Sequence, residues 1–234
     1  MNLSQSTFLI TGGSAGIGKA TAEMIIKKGG KVAMTGRNQK RLNEAAKDIG
    51  AFPIHADVAS QMDIEKTYEI FLKEFKRLDC LINNAGIGGE WQDVWDLTLE
   101  DFQKVYSVNV FGAAMMAKKA AQLFKKQNYG NIVNIASTSA TKGFQSGTVY
   151  ASSKFALRGM TECWRTELRK YNVRVILINP SEVITAFDQA DGKEKPEVKN
   201  KLRGIEIAHT VVSTLEMDDR GFIPEVTVWA TNPF

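Results

Sequence analysis

Cysteine and histidine are scarce in this sequence. Its 234 residues include only Cys80, Cys163, His55 and His209, and none of the four lies at metal-ligand spacing from another. Because Cys80 lies in an apolar run and Cys163 on a predicted helix, we interpret both as buried thiols of a reducing compartment. We therefore expect no structural metal.

Long apolar runs and blocks of one charge are also missing. No segment approaches the roughly 18 uninterrupted apolar residues of a membrane span, and residues 1–6 do not resemble the start of a signal peptide. The 30 basic and 26 acidic residues, with a net charge of +4, are spread along the chain. The lysine pairs at 118–119 and 125–126 fit the solvated face of a helix. We expect a cytoplasmic protein that binds neither membrane nor nucleic acid.

What the sequence does contain is a regular alternation of two periodicities. Short apolar runs predict strands at residues 7–11, 31–35, 51–55, 78–82, 131–136, 174–178 and near 226–229. Helical periodicity fills the intervals, at residues 19–28, 39–49, 62–76, 98–128, 150–171 and 205–215. Strand and helix in turn predict a doubly wound α/β fold with a mostly parallel sheet, in one domain over residues 1–234.

A glycine-rich turn follows the first strand directly. Gly12, Gly16 and Gly18, with Ser14 and Ile17 between them, connect the strand to the first helix. Bare amides at a helix N-terminus attract anions, and glycine lets a pyrophosphate approach the backbone. Any tight strand-to-helix turn would use similar glycines, so the turn by itself leaves both interpretations open.

A basic residue follows the second strand, where many dinucleotide sites carry an acid. Sites that prefer the unphosphorylated cofactor place an acidic residue about 20 positions beyond the glycines. This chain instead has Gly36, Arg37 and Asn38 there. The planar donors of arginine suit a 2′-phosphate. We favour a phosphate contact by Arg37 over a surface arginine at a strand end.

Polar residues also follow the third and fourth strands. Asp57 and Val58 come after the third, where the carboxylate either accepts from an adenine amino group or caps the helix that begins after Ser60. The segment Asn83–Gly86 comes after the fourth, at the edge where open parallel sheets bind ligands. A plain turn is the alternative for this second segment.

Tyr150 and Lys154 form a candidate acid/base pair. They lie four residues apart, so they share one face of any helix that has begun by Tyr150. A phenol titrates near pH ~10 when unperturbed, and a neighbouring ammonium favours its ionised form. The same spacing is common in amphipathic surface pairs, which is the alternative.

Two further polar residues lie upstream of this pair. Ser137 precedes the tyrosine by thirteen positions, at the end of the fifth strand. Asn109 lies near the middle of the long helical pattern, flanked by apolar residues. A buried amide needs partners, so Asn109 either bends the helix and binds water at a site or is a satisfied core residue.

With these residues identified, nearly the whole chain resembles the short-chain dehydrogenase/reductase family. Five elements carry the resemblance in the family's order and approximate spacing: Thr11-Gly12-x-x-x-Gly16-x-Gly18, Asp57, Asn83-Asn84-Ala85-Gly86, Ser137 and Tyr150-x-x-x-Lys154. The resemblance implies a three-layer Rossmann-type fold with a seven-stranded sheet and no added substrate domain. It also implies hydride transfer between a nicotinamide dinucleotide and a carbonyl or alcohol.

The resemblance assigns a role to each matched residue. Tyr150 would protonate the carbonyl oxygen, Ser137 would donate to the same oxygen and Lys154 would lower the tyrosine pKa. Asn109 would hold a water that links Lys154 to solvent. The implied cofactor contacts are Gly12, Ser14, Gly16, Ile17, Gly18, Arg37, Asn38, Asp57, Val58, Asn84, Ala85, Gly86, Tyr150, Lys154, Pro180, Val183 and Thr185.

The sequence departs from the family pattern at three places. Ala15 stands where many NADPH-preferring members have a basic residue, which leaves a 2′-phosphate mainly to Arg37 and Ser14. Ser181 replaces the usual glycine after Pro180, which matters if the backbone there needs a positive φ. The ending at residues 229–234 lacks the glycine pair of many members.

These features predict an NADPH-preferring reductase of a ketone, with NADH as a possible cofactor and a 3-oxoacyl thioester as the leading substrate. A sugar, polyol or steroid dehydrogenase is the enzymatic alternative, and a non-catalytic dinucleotide sensor is the alternative of another class. The polar stretch within residues 186–204 predicts a substrate lid. Trp91 and Trp95 either form an aromatic wall of the substrate pocket or pack beneath that lid.

The resemblance also implies self-association. Family members usually form tetramers through two long helices, which here lie around residues 102–124 and 150–171. We therefore expect a homotetramer or a homodimer. Apolar residues on these helices fit that expectation, but core packing would give the same pattern.

Overall fold

A parallel seven-stranded sheet forms the centre of the computed structural model, which describes residues 1–187 and 196–233. The strands are β1 (Thr7–Ile10), β2 (Lys31–Gly36), β3 (Phe52–His55), β4 (Cys80–Asn83), β5 (Gly130–Ile135), β6 (Val173–Pro180), β7 (Val183–Ile184), β8 (Leu202–Arg203) and β9 (Glu225–Val228). The sheet order is β3-β2-β1-β4-β5-β6-β9, while β7 and β8 pair only with each other. The predicted Rossmann-type fold is confirmed.

Helices cover both faces of this sheet. They are α1 (Gly16–Lys27), α2 (Gln39–Ile49), α3 (Gln61–Phe75), α4 (Leu99–Tyr106), α5 (Ala113–Gln127), α6 (Thr148–Leu168) and α7 (Gly204–Glu216). A π-helical turn, Ser107–Gly112, joins α4 to α5, so the predicted long helix is continuous but locally widened. The strand order reverses between β1 and β4, which opens a crevice at the carboxyl ends of the strands.

Alternate residues of each strand feed two separate cores. Phe8 and Ile10 of β1 pack on one face with α1, α2 and α7, whereas Leu9 packs on the other with α3 and α5. All three side chains are fully buried. The strands are continuous apolar runs in the sequence because helices cover both faces of the parallel sheet.

The structure corrects the prediction for one cysteine and describes only part of the predicted lid. Cys80 is buried as expected, but Cys163 is exposed, because α6 turns that side chain away from the sheet. Residues 188–195 of the predicted lid lie outside the described part of the chain. The parallel pairing of Val183 with Leu202 joins the chain just before the predicted lid segment to the end of that segment.

The described residues contain no helix long and apolar enough to span a membrane. Within the same residues, no three histidine, cysteine, aspartate or glutamate side chains cluster as a metal site would require.

Candidate active site

A cleft of about 1000 Å³ runs along the carboxyl ends of the strands. Most of the predicted site residues line it: Gly12, Ser14, Gly16, Ile17, Arg37, Asp57, Val58, Asn84, Ala85, Gly86, Ser137, Tyr150, Lys154, Pro180, Val183 and Thr185. Gly18, Asn38 and Asn109 are not part of the lining. Each of the three instead contacts a residue that does line the cleft: Gly18 packs against Gly12, Asn38 bonds to Arg41 and Asn109 bonds to Ile87.

The glycine-rich turn is shaped by contacts that exclude side chains. Gly12 and Gly16 have φ values of +65° and +54°, which favour glycine. A Cβ at Gly16 would lie 3.0 Å from the Cβ of Thr185, across the cleft. A Cβ at Gly18 would lie 2.4 Å from the carbonyl oxygen of Gly12, so this glycine lets α1 pack directly against the turn. The N-cap residue Ala15 makes no side-chain cap, and the helix N-terminus therefore suits an anion.

Asn84 joins the glycine turn to the end of β4. Its side-chain nitrogen donates to the carbonyl oxygens of Thr11 and Gly12, at 2.9 and 3.0 Å. In return the Thr11 hydroxyl oxygen accepts from the backbone amides of Asn84 and Ala85, both at 3.0 Å. The predicted Asn-Asn-Ala-Gly segment thus shapes the cleft through these cross-strand bonds.

Two arginines border the cleft beyond β2. Arg37 is exposed, and Arg41, which the sequence analysis did not single out, is half-buried with an Nε that has no hydrogen-bond partner. Neither forms an ion pair with a residue that the structure describes. Asn38 caps α2 by accepting from the amide of Arg41 at 3.0 Å, which fixes the start of that helix. The sequence did hold a signal for Arg41: it follows Arg37 by four residues, with the N-cap residue Asn38 between the two.

Asp57 shapes its own turn at the end of β3. One carboxylate oxygen accepts from the amide of Ala59 at 2.9 Å. The helix α3 is capped by Ser60, whose hydroxyl accepts from the amide of Asp63, so Asp57 does not serve as that cap. Its side chain borders the cleft beside Val58.

Tyr150 and Lys154 lie on the first two turns of α6, as the spacing predicts. The Lys154 side chain is only 4% exposed, and its Nζ donates to the carbonyl oxygen of Ile135 at 3.1 Å. This Nζ also lies 5.6 Å from the centroid of the Tyr150 ring. Burial disfavours the ammonium and lowers the pKa of Lys154 to about 8. The group is therefore largely charged at neutral pH and sits beneath the tyrosine.

Asn109 occupies the π-helical turn and is 1% exposed. Its side-chain oxygen accepts from the amide of Ile87 at 2.9 Å, and its nitrogen donates to the carbonyl oxygen of Ile87 at 2.9 Å. The nitrogen also donates to the hydroxyl of Ser153 at 3.0 Å. Asn109 therefore fixes the strand-end loop against α6, immediately beside Lys154.

Ser137 follows the end of β5, two residues after the carbonyl that holds Lys154. Its oxygen accepts from the amide of Ser139 at 3.1 Å, at the start of a short 3-10 turn. The hydroxyl hydrogen makes no bond to another described residue, so it is available to a ligand in the cleft.

Aromatic rings surround Tyr150 at the other end of the cleft. Trp91 and Phe187 each contact the tyrosine ring, with centroids 5.7 and 5.8 Å apart. Phe144 contacts Trp91 at 5.7 Å. The predicted aromatic wall therefore includes Trp91, whereas Trp95 is 78% exposed and lies outside the cleft lining. Phe144 and Phe187 were missed because they lie in loops, where no periodicity marks a buried face.

Serine is tolerated at position 181 without backbone strain. Among the described non-glycine residues, positive φ values occur only at Lys76, Asn128, Ser146 and Asn172. The amide of Ser181 donates to the carbonyl oxygen of Val228 at 2.8 Å. The loop after β6 therefore does not require the glycine that the family pattern has there.

Known proteins are similar to this chain in sequence. A family model described as short chain dehydrogenase matches residues 6–196. A human 3-oxoacyl-(acyl-carrier-protein) reductase is 34% identical over 214 residues, which cover 88% of this chain and 90% of that protein. An NADP-dependent 3-hydroxy acid dehydrogenase of Schizosaccharomyces pombe is 33% identical over 192 residues, 79% of this chain and 74% of that protein.

A crystal structure shows the same fold. The 3-ketoacyl-(acyl-carrier-protein) reductase of Brucella melitensis, complexed with NADH, superposes with a TM-score of 0.89 at 25% identity. The match covers 99% of this chain and 100% of that one. Fold, cleft and sequence agree: the chain belongs to the short-chain dehydrogenase/reductase family and is an oxidoreductase that uses a nicotinamide dinucleotide.

Proposed function

We propose that this protein reduces a ketone to a secondary alcohol, prefers NADPH and uses Tyr150 as the proton donor. The observation that carries the proposal is the buried ammonium of Lys154, held by Ile135 and 5.6 Å from the Tyr150 ring. A charge buried this deeply is costly, and such costs are typical of groups with a chemical role.

The residues divide the chemistry between them. When bound, the dinucleotide supplies the hydride. Tyr150 donates a proton to the carbonyl oxygen, and the Ser137 hydroxyl donates a hydrogen bond to the same oxygen. The Lys154 ammonium stabilises the phenolate that remains. Asn109 positions Ile87 and Ser153 beside this pair, and the water relay implied for Asn109 stays a prediction.

The preference for NADPH rests on the end of the cleft beyond β2. Arg37 and Arg41 present two guanidinium groups without carboxylate partners among the described residues. A partly buried Nε on Arg41 without a partner favours a ligand that accepts from it. The 2′-phosphate of NADPH has the charge and the oxygen atoms that both groups require.

Fluorescence titrations with NADPH and NADH test the cofactor assignment. We expect Arg37→Ala and Arg41→Ala to weaken NADPH binding by about tenfold to a hundredfold each, as for charge-assisted bonds, and to leave NADH binding within about twofold. Arg169→Ala, on the distant end of α6, is the matched control. Equal binding of both cofactors, unaffected by either arginine, would overturn the NADPH preference while leaving the reductase intact.

A 3-oxoacyl thioester is the substrate that the named relatives support best. The human protein at 34% identity and the Brucella protein are both named as reductases of such thioesters. Turnover of a 3-oxobutanoyl thioester of N-acetylcysteamine, with NADPH, would support this assignment. No turnover of the thioester by an enzyme that reduces other ketones would exclude it.

Self-association through α5 and α6 is part of the proposal. Phe111, in the π-helical turn, is 60% exposed, and Phe155 on α6 is 45% exposed. Exposed phenylalanines on the two helices implied for subunit contact favour a homotetramer or homodimer. Light scattering of the wild type and of Phe111→Glu tests this, with Lys47→Glu, exposed on α2, as control. A wild-type monomer would rule it out.

A further inference from the structure

The aromatic rings around Tyr150 point to the class of ketone, an inference that rests on the proposed reductase function. Trp91 and Phe144 are each 48% exposed and Phe187 is 38% exposed, although all three line the cleft. Large apolar side chains left half-exposed in a cleft are typical of a binding site for an apolar group. Trp91 and Phe187 each touch the tyrosine ring, so a ligand at Tyr150 must contact them.

The loops that carry the first two rings are fastened to each other. The hydroxyl of Ser146 donates to a carboxylate oxygen of Asp93 at 2.7 Å, and Gln92 forms a parallel β-bridge with Gly147. Phe144 packs on that glycine so closely that a Cβ there would lie 2.4 Å from the ring. Trp91 and Phe144 are therefore held in place before any ligand arrives, which reduces the entropy lost on binding.

The charges of the cleft indicate an uncharged substrate. Among the described residues that line it, the cations are Arg37 and Arg41, which follow β2, and Lys154, which is bound to Ile135. The lining also carries Glu182, which pairs with Lys201. Among the described lining residues, none places a cation over the rings of Trp91, Phe144 or Phe187, so a carboxylate bound against these rings would lack a partner.

We propose that the substrate is an uncharged ketone with an aryl or similarly flat apolar group next to the carbonyl. Trp91, Phe144 and Phe187 bind this group beside Tyr150. Ring contacts of this kind favour flat groups over flexible chains of similar area, because aromatic pairs gain beyond their buried surface and the rings lose little freedom. The three rings are specificity residues and take no part in the proton transfer.

Three substrates with one skeleton test the proposal with the full chain and NADPH. They are ethyl 3-oxo-3-phenylpropanoate, ethyl 3-oxobutanoate and the free acid 3-oxobutanoate. We expect kcat/KM to fall in that order, by about tenfold at the first step, as for the loss of one aromatic contact set, and by more at the second, where a charge is buried without a partner.

Variants of two tryptophans in one loop separate specificity from folding. Trp91→Ala is expected to lower kcat/KM for the phenyl ester by about tenfold or more and for ethyl 3-oxobutanoate by less than about threefold. Trp95→Ala, whose ring is 78% exposed outside the cleft, is the matched control and should stay within about twofold for every substrate. NADPH binding should be unchanged in both variants. Phe187→Ala repeats the comparison with the second ring that contacts Tyr150.

The outcomes distinguish this inference from the proposed function. Reduction of the free acid as efficient as that of its ester, or an equal loss on all three substrates in Trp91→Ala, overturns the substrate class while leaving a ketone reductase. Turnover of the N-acetylcysteamine thioester but of none of the three ketones overturns the substrate class alone. Bound NADPH without turnover of the thioester or of any of the three ketones overturns the reductase as well.

Discussion

The two ends of the cleft are built in different ways. At the cofactor end, glycines, amides and short side chains meet at distances that leave no room for a Cβ, as at Gly18, and cross-strand bonds join Thr11 to Asn84. At the substrate end, loops present the large rings of Trp91, Phe144 and Phe187. The first end depends on backbone geometry, and the second on side chains that can be exchanged without disturbing the sheet.

This difference explains why the family shares a cofactor and varies in substrate. A pyrophosphate is bound by main-chain amides, which every sequence possesses once the glycines set the turn. A substrate is selected by what the loops carry, and loops tolerate substitution because few other contacts depend on them. Tyr150 lies where the two ends meet, so changes there should affect catalysis while sparing both kinds of binding.

The largest effect is expected from Tyr150→Phe. Removing the hydroxyl removes the proposed proton donor, and kcat should fall by about 10²- to 10⁴-fold, the usual contribution of a general acid. NADPH binding by fluorescence should stay within about twofold, since the ring is retained. Tyr171→Phe, at the far end of α6, is the control. Ketone reduction at the wild-type rate in Tyr150→Phe would contradict the mechanism.

Lys154→Met should abolish turnover and yet stabilise the protein at neutral pH. The pKa of Lys154 falls from 10.5 to about 8 on burial, which corresponds to about 3 kcal/mol at ~1.36 kcal/mol per pKa unit. Below pH 8 the folded wild type carries this buried charge in full. We therefore expect the free energy of unfolding of Lys154→Met at pH 7 to exceed that of the wild type by up to about 3 kcal/mol, reduced by the lost bond to Ile135.

The difference in free energy of unfolding between Lys154→Met and the wild type should depend on pH. Between pH 8 and pH 10.5 the unfolded lysine binds more protons than the folded one, so wild-type stability gains on the variant as pH rises. Urea denaturation of the cofactor-free proteins across this interval should show the gap closing. A gap that stays constant with pH would mean that Lys154 is not buried as a charge.

A pair of glycine variants probes the contrast between the two ends directly. Gly18→Ala places a Cβ 2.4 Å from the carbonyl oxygen of Gly12, and the forced shift of the turn should weaken NADPH binding by about tenfold. Gly143→Ala adds a Cβ that meets nothing within 4 Å, in the loop beside Phe144, and should change binding less than about twofold. Equal effects of the two, measured by NADPH titration, would remove the distinction between a tight and a tolerant end.

The smallest effect is expected where the substrate loops are fastened. Asp93→Ala removes the bond to Ser146 and should raise KM for an aryl ketone by about two- to fivefold, in line with one partly buried hydrogen bond, with NADPH binding unchanged. Asp96→Ala, in the same loop but without that bond, is the control. A change in NADPH affinity instead of KM would show that this loop serves the cofactor end.

The sequence identified more of the cleft residues at the cofactor end than at the substrate end. The reason is that the first end is built from the ends of strands and helices, and the second from loops. Strand and helix positions followed from periodicity, and the glycine turn, Asn83–Gly86, Ser137, Tyr150 and Lys154 were found because each has a fixed place relative to a strand or helix. Arg41 was missed although it lies four residues beyond Arg37. Phe144 and Phe187 were missed because loops carry no periodic signal.

The structure shows partners within the protein for two predicted site residues, which the sequence did not predict. The side-chain nitrogen of Asn84 donates to the carbonyl oxygens of Thr11 and Gly12. The side chain of Asn109 bonds to both the amide and the carbonyl of Ile87. Spacing predicts that an amide is near a site, but the choice of partner depends on which carbonyls come within about 3 Å after folding.

By itself, the sequence determined the α/β architecture and the place of the glycine turn, and it predicted that Tyr150 and Lys154 share one face of a helix, because these depend on local periodicity and on spacing along the chain. Only the tertiary structure decided that Lys154 is buried on the carbonyl of Ile135, that Arg41 joins Arg37 and that three rings from separate loops surround Tyr150. These are contacts between segments far apart in the chain. Their distances are set by how the strands and helices pack, a quantity that no local pattern encodes.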